Sequence, residues 1–153
     1  PHNLLNSLQQ AIPSGAGIVI QFPFYAGIMA VMVDTGLAQQ ISQGFIAIAD
    51  ADSLPFYSFI SAGLVNMFVP SGGGQWAVQA PIVIPAAQEL GADMARVAMA
   101  VAWGDAWTNL IQPFWALPVL AIAGLKAKDI MGFCVVQLII TGVFISLMLS
   151  FYP

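Results

Sequence analysis

"VPSGGGQWAVQAP", Val69 to Pro81, sets a serine, three consecutive glycines and two glutamines into otherwise apolar surroundings. How it is read decides the fold. On a soluble domain it is an ordinary surface loop. At membrane depth, irregular backbone survives only where protein or water satisfies its polar groups, so the same residues would mark a cavity.

Composition favours the second setting. Of 153 residues 59% are hydrophobic and 7% charged, with a mean hydropathy of +0.88. Soluble domains carry about 25% charged residues. A chain this poor in charge turns its apolar surface toward lipid. The net charge of −4 offers no basic face to nucleic acid. A single cysteine, Cys134, forms no internal disulfide and reads as packing. The one histidine, His2, lies in a polar leader, so neither a catalytic triad nor a metal-ligand cluster is available, and no catalytic residue is assigned. The chain opens on Pro1, with no basic leader before its first apolar run, and is expected to be the C-terminal part of a longer protein.

Working outward from the glycines, a polar leader and five segments emerge. Residues 1–14 are polar and end in a loop; 15–33 form a transmembrane helix, kinked near Gln21 and Pro23. Residues 34–52 read as an amphipathic interfacial helix. Its Leu37, Ile41, Phe45, Ile46 and Ile48 share one face, opposite Gln39, Gln40 and Gln43. Residues 54–90 hold two short apolar arms around the glycine tip. Residues 95–125 exceed one crossing and are broken centrally by Gly104, Asp105, Pro113 and Pro118, while 129–152 form an uninterrupted final span. Lys126 and Lys128, the only lysines, place their turn in the cytoplasm. Asp50, Asp52, Glu89 and Asp93 then gather outside with the C-terminus at Pro153, and Arg96 votes mildly the other way. Both arms around the tip have their free ends on that outer face. A re-entrant hairpin satisfies this arrangement; two full crossings joined by a plain loop would place the lysines outside.

The chemistry follows from the breaks. Ser71 is placed to cap a helix starting near Gln75, and the accessible N–H groups of Gly72, Gly73 and Gly74 favour an anion, most naturally a carboxylate. No Gly-Lys-Ser/Thr continuation follows, so a phosphate loop is excluded. Asp105 is the one ionisable group well inside a span, which marks it as a proton carrier or cation ligand. Thr108 and Asn109 add hydroxyl and amide oxygens beside it, and Asn109 joins Asp105 as a cation contact. Discontinuous elements meeting at the midplane are how secondary transporters build their sites. Trp76, Trp103, Trp107 and Trp115 read as belt or packing aromatics, and Gln21 and Gln137 as interhelical hydrogen-bonders.

Three stretches, "IVIQFPFYAGIM", "NMFVPSGGGQWAVQAPIVIPAA" and "MAVAWGDAWTNLIQPFWALPVL", resemble the C-terminal third of the bacterial short-chain fatty acid transporter family, the acetoacetate/butyrate carriers. That family is similar in turn to the larger ion-transporter group. The resemblance implies an all-α membrane protein: the second-repeat half of an inverted-repeat carrier with transmembrane helix, interfacial helix, re-entrant hairpin, broken helix and final transmembrane helix. It puts Ser71, Gly72, Gly73, Gly74 and Gln75 at the substrate-binding hairpin tip and Thr108 and Asn109 at the helix break. Here "SGGG" and "WTN" replace the Ser-Asn-Thr motifs of the wider group, which leaves the coupling ion open between Na⁺ and H⁺. Implied besides are a short-chain monocarboxylate substrate, a multi-pass place in the bacterial inner membrane, no cofactor beyond the coupling ion, a missing N-terminal half of the same chain as partner, and room for a homo-oligomer. Dicarboxylate or other organic-anion carriage is the alternative. A membrane-embedded hydrolase lacks a nucleophile–base pair, and a purely structural subunit leaves the polar breaks unexplained.

Overall fold

A computed structural model of the chain describes residues 2–112 and 116–151. Pro113, Trp115 and Pro153 lie outside the described residues, as do the side chains of His2 and Gln21. Every regular element among the described residues is helical: α1 His2–Asp34, α2 Leu37–Ile46, α3 Leu54–Asn66, α4 Gly72–Leu90, α5 Met94–Thr108, a 3-10 turn Asn109–Ile111, α6 Leu117–Ala123 and α7 Ala127–Phe151. The leader expected to close in a loop is instead the first part of α1, which carries Pro13 and Pro23 within it. Gly15–Asp34 and Ala127–Phe151 are long and apolar enough to cross a membrane. Their large apolar side chains stay outward: Val19, Phe24, Phe133 and Phe144 are all well exposed.

α3 and α4 make a helical hairpin. Asp50 and Ser53 bind each other ahead of α3, Ser53 N–H and Oγ both donating to Asp50 Oδ1 at 2.8 and 2.6 Å. Burial of Leu54, Ala62, Val83, Ala87, Val97 and Val101 in one cluster joins the hairpin to α5. The arms are unequal, 13 and 19 residues. Gly91, at φ 73°, ends α4 in the left-handed region open to glycine, and Asp93 caps α5 by accepting from Ala95 and Arg96 N–H.

The tightest crossing is α3 on α5, and small residues make it so. A Cβ on Gly104 would lie 2.3 Å from the Phe59 carbonyl oxygen and 2.7 Å from Ala62 Cβ. Gly104 therefore does not break the helix. It lets two backbones meet, and both it and Asp105 are inside α5, which ends only at Thr108. Trp107 fills the matching notches beside it. Cβ atoms on Gly63 of α3 and Gly142 of α7 would come within 2.9 and 2.6 Å of its ring.

Two hydrogen bonds fix the levels. Arg96, at the start of α5, donates to the Leu149 carbonyl near the end of α7 at 2.9 Å. Trp107, at the end of α5, donates to Leu138 O at 2.7 Å. Leu138 and Leu149 are eleven residues apart in α7, about 16 Å along the axis. The hairpin tip and the end of α5 are thus level with the middle of α7, while the open end of the hairpin lies toward its C-terminus. α2 packs along the hairpin. Ala38 is buried with Val65 and Val69 near the tip, and Ile46 packs with Leu54 at the open end. Its buried residues are the small Ala38 and Ser42, whereas Leu37 and Ile48, expected on the apolar face, are 44% and 65% exposed. Short side chains allow the close approach that a stripe of large ones would prevent. Gln137 is exposed on α7.

Candidate functional site

The glycines after Ser71 are helical, not a loop: α4 begins at Gly72, three residues before the start expected near Gln75. Ser71 is the cap, extended at φ −152°, ψ 105°, and its Oγ accepts from Gly74 N–H at 3.3 Å. With no Cβ on its first three residues, α4 presents a bare N-terminus. A Cβ on Gly73 would meet nothing within 4 Å, and one on Gly72 would lie 3.3 Å from Asp105 Oδ2. The tip of the hairpin and the acid of α5 are therefore in contact.

Asn66 ties the rest together. It ends α3, is fully buried, and its Nδ2 faces Asp105 O at 2.7 Å, Asn109 Oδ1 at 2.9 Å and Thr108 Oγ1 at 3.0 Å. Thr108, also buried, donates from Oγ1 to Gly63 O at 2.9 Å. Gln112 Nε2 donates to Asn66 O at 2.9 Å across the end of the 3-10 turn. One amide thus holds the tip against the helix break.

Below the tip runs a second polar line. Gln75 Nε2 donates to Ala62 O and Gln79 Oε1, both at 2.8 Å, and Gln79 Nε2 donates to Ser42 Oγ at 2.9 Å and Ser61 Oγ at 3.2 Å. It links α2, α3 and α4 through buried side chains, with Gln75 Oε1 left without a partner in the protein.

Of the predicted residues, Ser71 and Asn109 line a cavity of about 630 Å³ together with Gln112 and Pro70. Its facing wall is Phe22, Tyr25, Ala26 and Met29 of α1. The cavity has a polar end and an apolar side, suited to a small amphiphile. Asp105, half-buried, adjoins Gly72 next to it. Thr108 and Gln75 are turned into helix contacts and do not line the cavity. Asn66, Gln79 and Gln112 are additions. The signal for Asn66 was present, an amide ending the apolar run "ISAGLVN", but its partners lie some forty residues away. Among the described residues no three of His, Cys, Asp and Glu form a cluster able to hold a metal ion. The three bases lie at the ends of α5 and α7, and Arg96 is engaged there.

The family described as Short chain fatty acid transporter matches residues 1–152. A relative from Escherichia coli (strain K12), carried under the name "Putative short-chain fatty acid transporter", is 49% identical over 152 residues, 99% of this chain and 34% of the relative. One of the same name from Haemophilus influenzae is 51% identical over 142 residues, 93% of this chain and 32% of the relative. The chain thus spans about a third of the length of the curated relatives it matches. No solved structure matches it. With a helical architecture, two helices fit to cross a bilayer and a family match over almost its whole length, this chain is a membrane protein that belongs to the short chain fatty acid transporter family.

Proposed function

We propose that the chain forms one half of the transport site of a secondary active carrier. In this reading it moves short-chain monocarboxylates such as acetoacetate and butyrate across the bacterial inner membrane by symport with H⁺ or Na⁺. The observation that carries the reading is the meeting of a bare helix N-terminus, Ser71 to Gly74, with Asp105 and the helix break at Asn109. They meet level with the middle of α7. A helix N-terminus attracts a carboxylate through its free N–H groups and dipole. The apolar wall from α1 takes the acyl chain. The level of the tip supports a re-entrant hairpin entered from the outer side, and the names carried by the relatives support the substrate class.

Asp105 carries the coupling role. A carboxylate at this depth must be neutralised, and none of the three bases is near it. Its replacement by Asn in the full-length protein keeps shape while removing charge. In proteoliposomes, Asp105→Asn is expected to retain equilibrium exchange of butyrate or acetoacetate but to lose accumulation against a gradient. Undiminished concentrative uptake under imposed pH and Na⁺ gradients would make Asp105 structural.

A further inference from the structure

A second hollow, of about 440 Å³, runs along α7 where it meets α3 and α5, and shares no residue with the cavity at Ser71. Trp107 and Leu138 line it at the level of the middle of α7, and Phe56 and Ser150 at the level of its end. Between them Gly142 carries no side chain to fill it.

The dimensions select an occupant. Leu138 and Ser150 are twelve residues apart in α7, about 18 Å along the axis, close to the depth of one leaflet of a ~30 Å hydrocarbon core. A volume of about 440 Å³ over that length leaves a cross-section of about 25 Å², against roughly 80–110 Å² for a helix 10–12 Å across. A helix would cover the hollow without filling it. One hydrocarbon chain entering from one leaflet is thin enough and matches its length.

The rim at the end of α7 is polar. Ser146 and Ser150, one turn apart, both line the hollow, and among the described residues neither hydroxyl has a protein partner. Thr141 of the same helix instead turns its hydroxyl back on Gln137 O at 2.7 Å, as a hydroxyl in an apolar span can. Next to Ser150, the Leu149 carbonyl accepts from Arg96 at 2.9 Å, and that is the one bond of the guanidinium among the described residues. Most of its five donors are therefore open, at the helix end where a bilayer meets water. The other charges at the open end of the hairpin are acids: Asp50, Asp52, Glu89 and Asp93. Asp93, one turn before Arg96, spends only Oδ1 on capping α5. A phosphate suits the guanidinium. A headgroup with net negative charge would be repelled by four carboxylates, whereas one ending in an ammonium is balanced by them.

We propose that this groove binds one glycerophospholipid with a primary ammonium headgroup. Its acyl chain lies along Trp107, Leu138 and Gly142, its ester oxygens accept from Ser146 and Ser150, its phosphate meets Arg96 and its ammonium Asp93.

Trp107 makes the groove its own reporter. Full-length protein is reconstituted into phosphatidylcholine vesicles in which one lipid in ten carries brominated acyl chains, which quench the indoles they touch. The Trp107 signal is the fluorescence of the parent less that of Trp107→Phe. Brominated phosphatidylethanolamine should quench more than half of it, and brominated phosphatidylglycerol no more than its share of the vesicle. Arg96→Gln should lower the first value to the second. Ser146→Phe, which puts a ring into the groove, should abolish quenching by both. Quenching in proportion to the brominated share with either headgroup would overturn the proposal, leaving ordinary solvation by the bilayer. So would an unquenched parent, since another part of the protein would then cover the groove. Stronger quenching by phosphatidylglycerol, or an unchanged preference in Arg96→Gln, would overturn it by removing the headgroup contacts.

Discussion

Adding one methyl at Gly104 tests the α3–α5 crossing on which the site depends. An alanine Cβ there would lie 2.3 Å from the Phe59 carbonyl oxygen, 2.7 Å from Ala62 Cβ and 3.0 Å from Gly63 N. Carbon–oxygen contacts close at roughly 3.3 Å, so the two backbones must part by about 1 Å. Neither the oxygen nor the nitrogen belongs to a flexible side chain that could turn away. The Asn66 contacts to Asp105 O, Asn109 Oδ1 and Thr108 Oγ1, now 2.7–3.0 Å, would stretch beyond hydrogen-bonding range by the same movement. Overpacking costs about 1–3 kcal/mol. A stranded buried amide adds about 1–3 kcal/mol. The expected destabilisation of Gly104→Ala is therefore about 2–6 kcal/mol, to be read from thermal or denaturant unfolding of the full-length protein in detergent. Gly73→Ala is the control. Its Cβ meets nothing within 4 Å, and alanine is the better helix former by up to about 1 kcal/mol, so that variant should melt at or above the parent. If Gly104→Ala melts with the parent, the helices do not cross as closely as described, and the Asn66 fan loses its basis.

Gly73→Val should keep the protein in the membrane yet reduce butyrate and acetoacetate uptake at least tenfold, because a branched side chain would stand over the bare N-terminus of α4; unchanged uptake in vesicles would remove the tip from the site. Trp107→Phe loses the indole bond to Leu138 O and should cost about 1 kcal/mol, whereas Trp107→Ala empties two glycine notches at once and should cost about 3–5 kcal/mol; equal melting of the two would show that the ring does not bridge α3 and α7. Asp50 is held below the usual carboxylate range by the Ser53 hydroxyl and N–H. Its contribution to the turn before α3 is therefore complete above that range and fades only as the pH falls through the lowered value. A carboxyl titration by NMR that follows an ordinary aspartate curve would contradict this.

How much of this was legible beforehand depends on the range of the interaction. Ser71 as a cap and the helical hairpin follow from local spacing of glycine, serine and polar residues, whereas the helix expected to break at Gly104 and Asp105 runs on to Thr108, where the family resemblance puts the break. Gly104 and the glycines after Ser71 were misread for one reason. Glycine in an apolar run can end a helix, bare its N-terminus or admit a neighbour, and only the neighbour tells which. Phe59 is forty-five positions from Gly104. On α2 the large residues of the expected face share the contact with small ones: Ile41 and Ile46 pack on the hairpin and Phe45 meets Tyr57, while Ala38 and Ser42 are the fully buried positions. Asn66, Gln79 and Gln112 stayed hidden because an amide's role is set by the groups it bonds, and theirs include carbonyls and hydroxyls from other helices.

The indole of Trp107 works like a key in two locks. With its ring seated in the notches at Gly63 and Gly142 and its N–H on Leu138 O, α3, α5 and α7 form one rigid block that cannot shear internally without withdrawing the ring. The cavity lies between α1 on one side and, on the other, the hairpin tip and the turn that follows α5. Access to it lies along the seam between them, and the chain bends sharply at Gly36 between α1 and α2 and at Gly124 into α7. Both glycines hold φ angles, 74° and 69°, that other residues resist. A small amphiphile lodged between Ser71 and Ala26 would then touch both the hairpin and the long first helix, which has no share in the indole that locks the others.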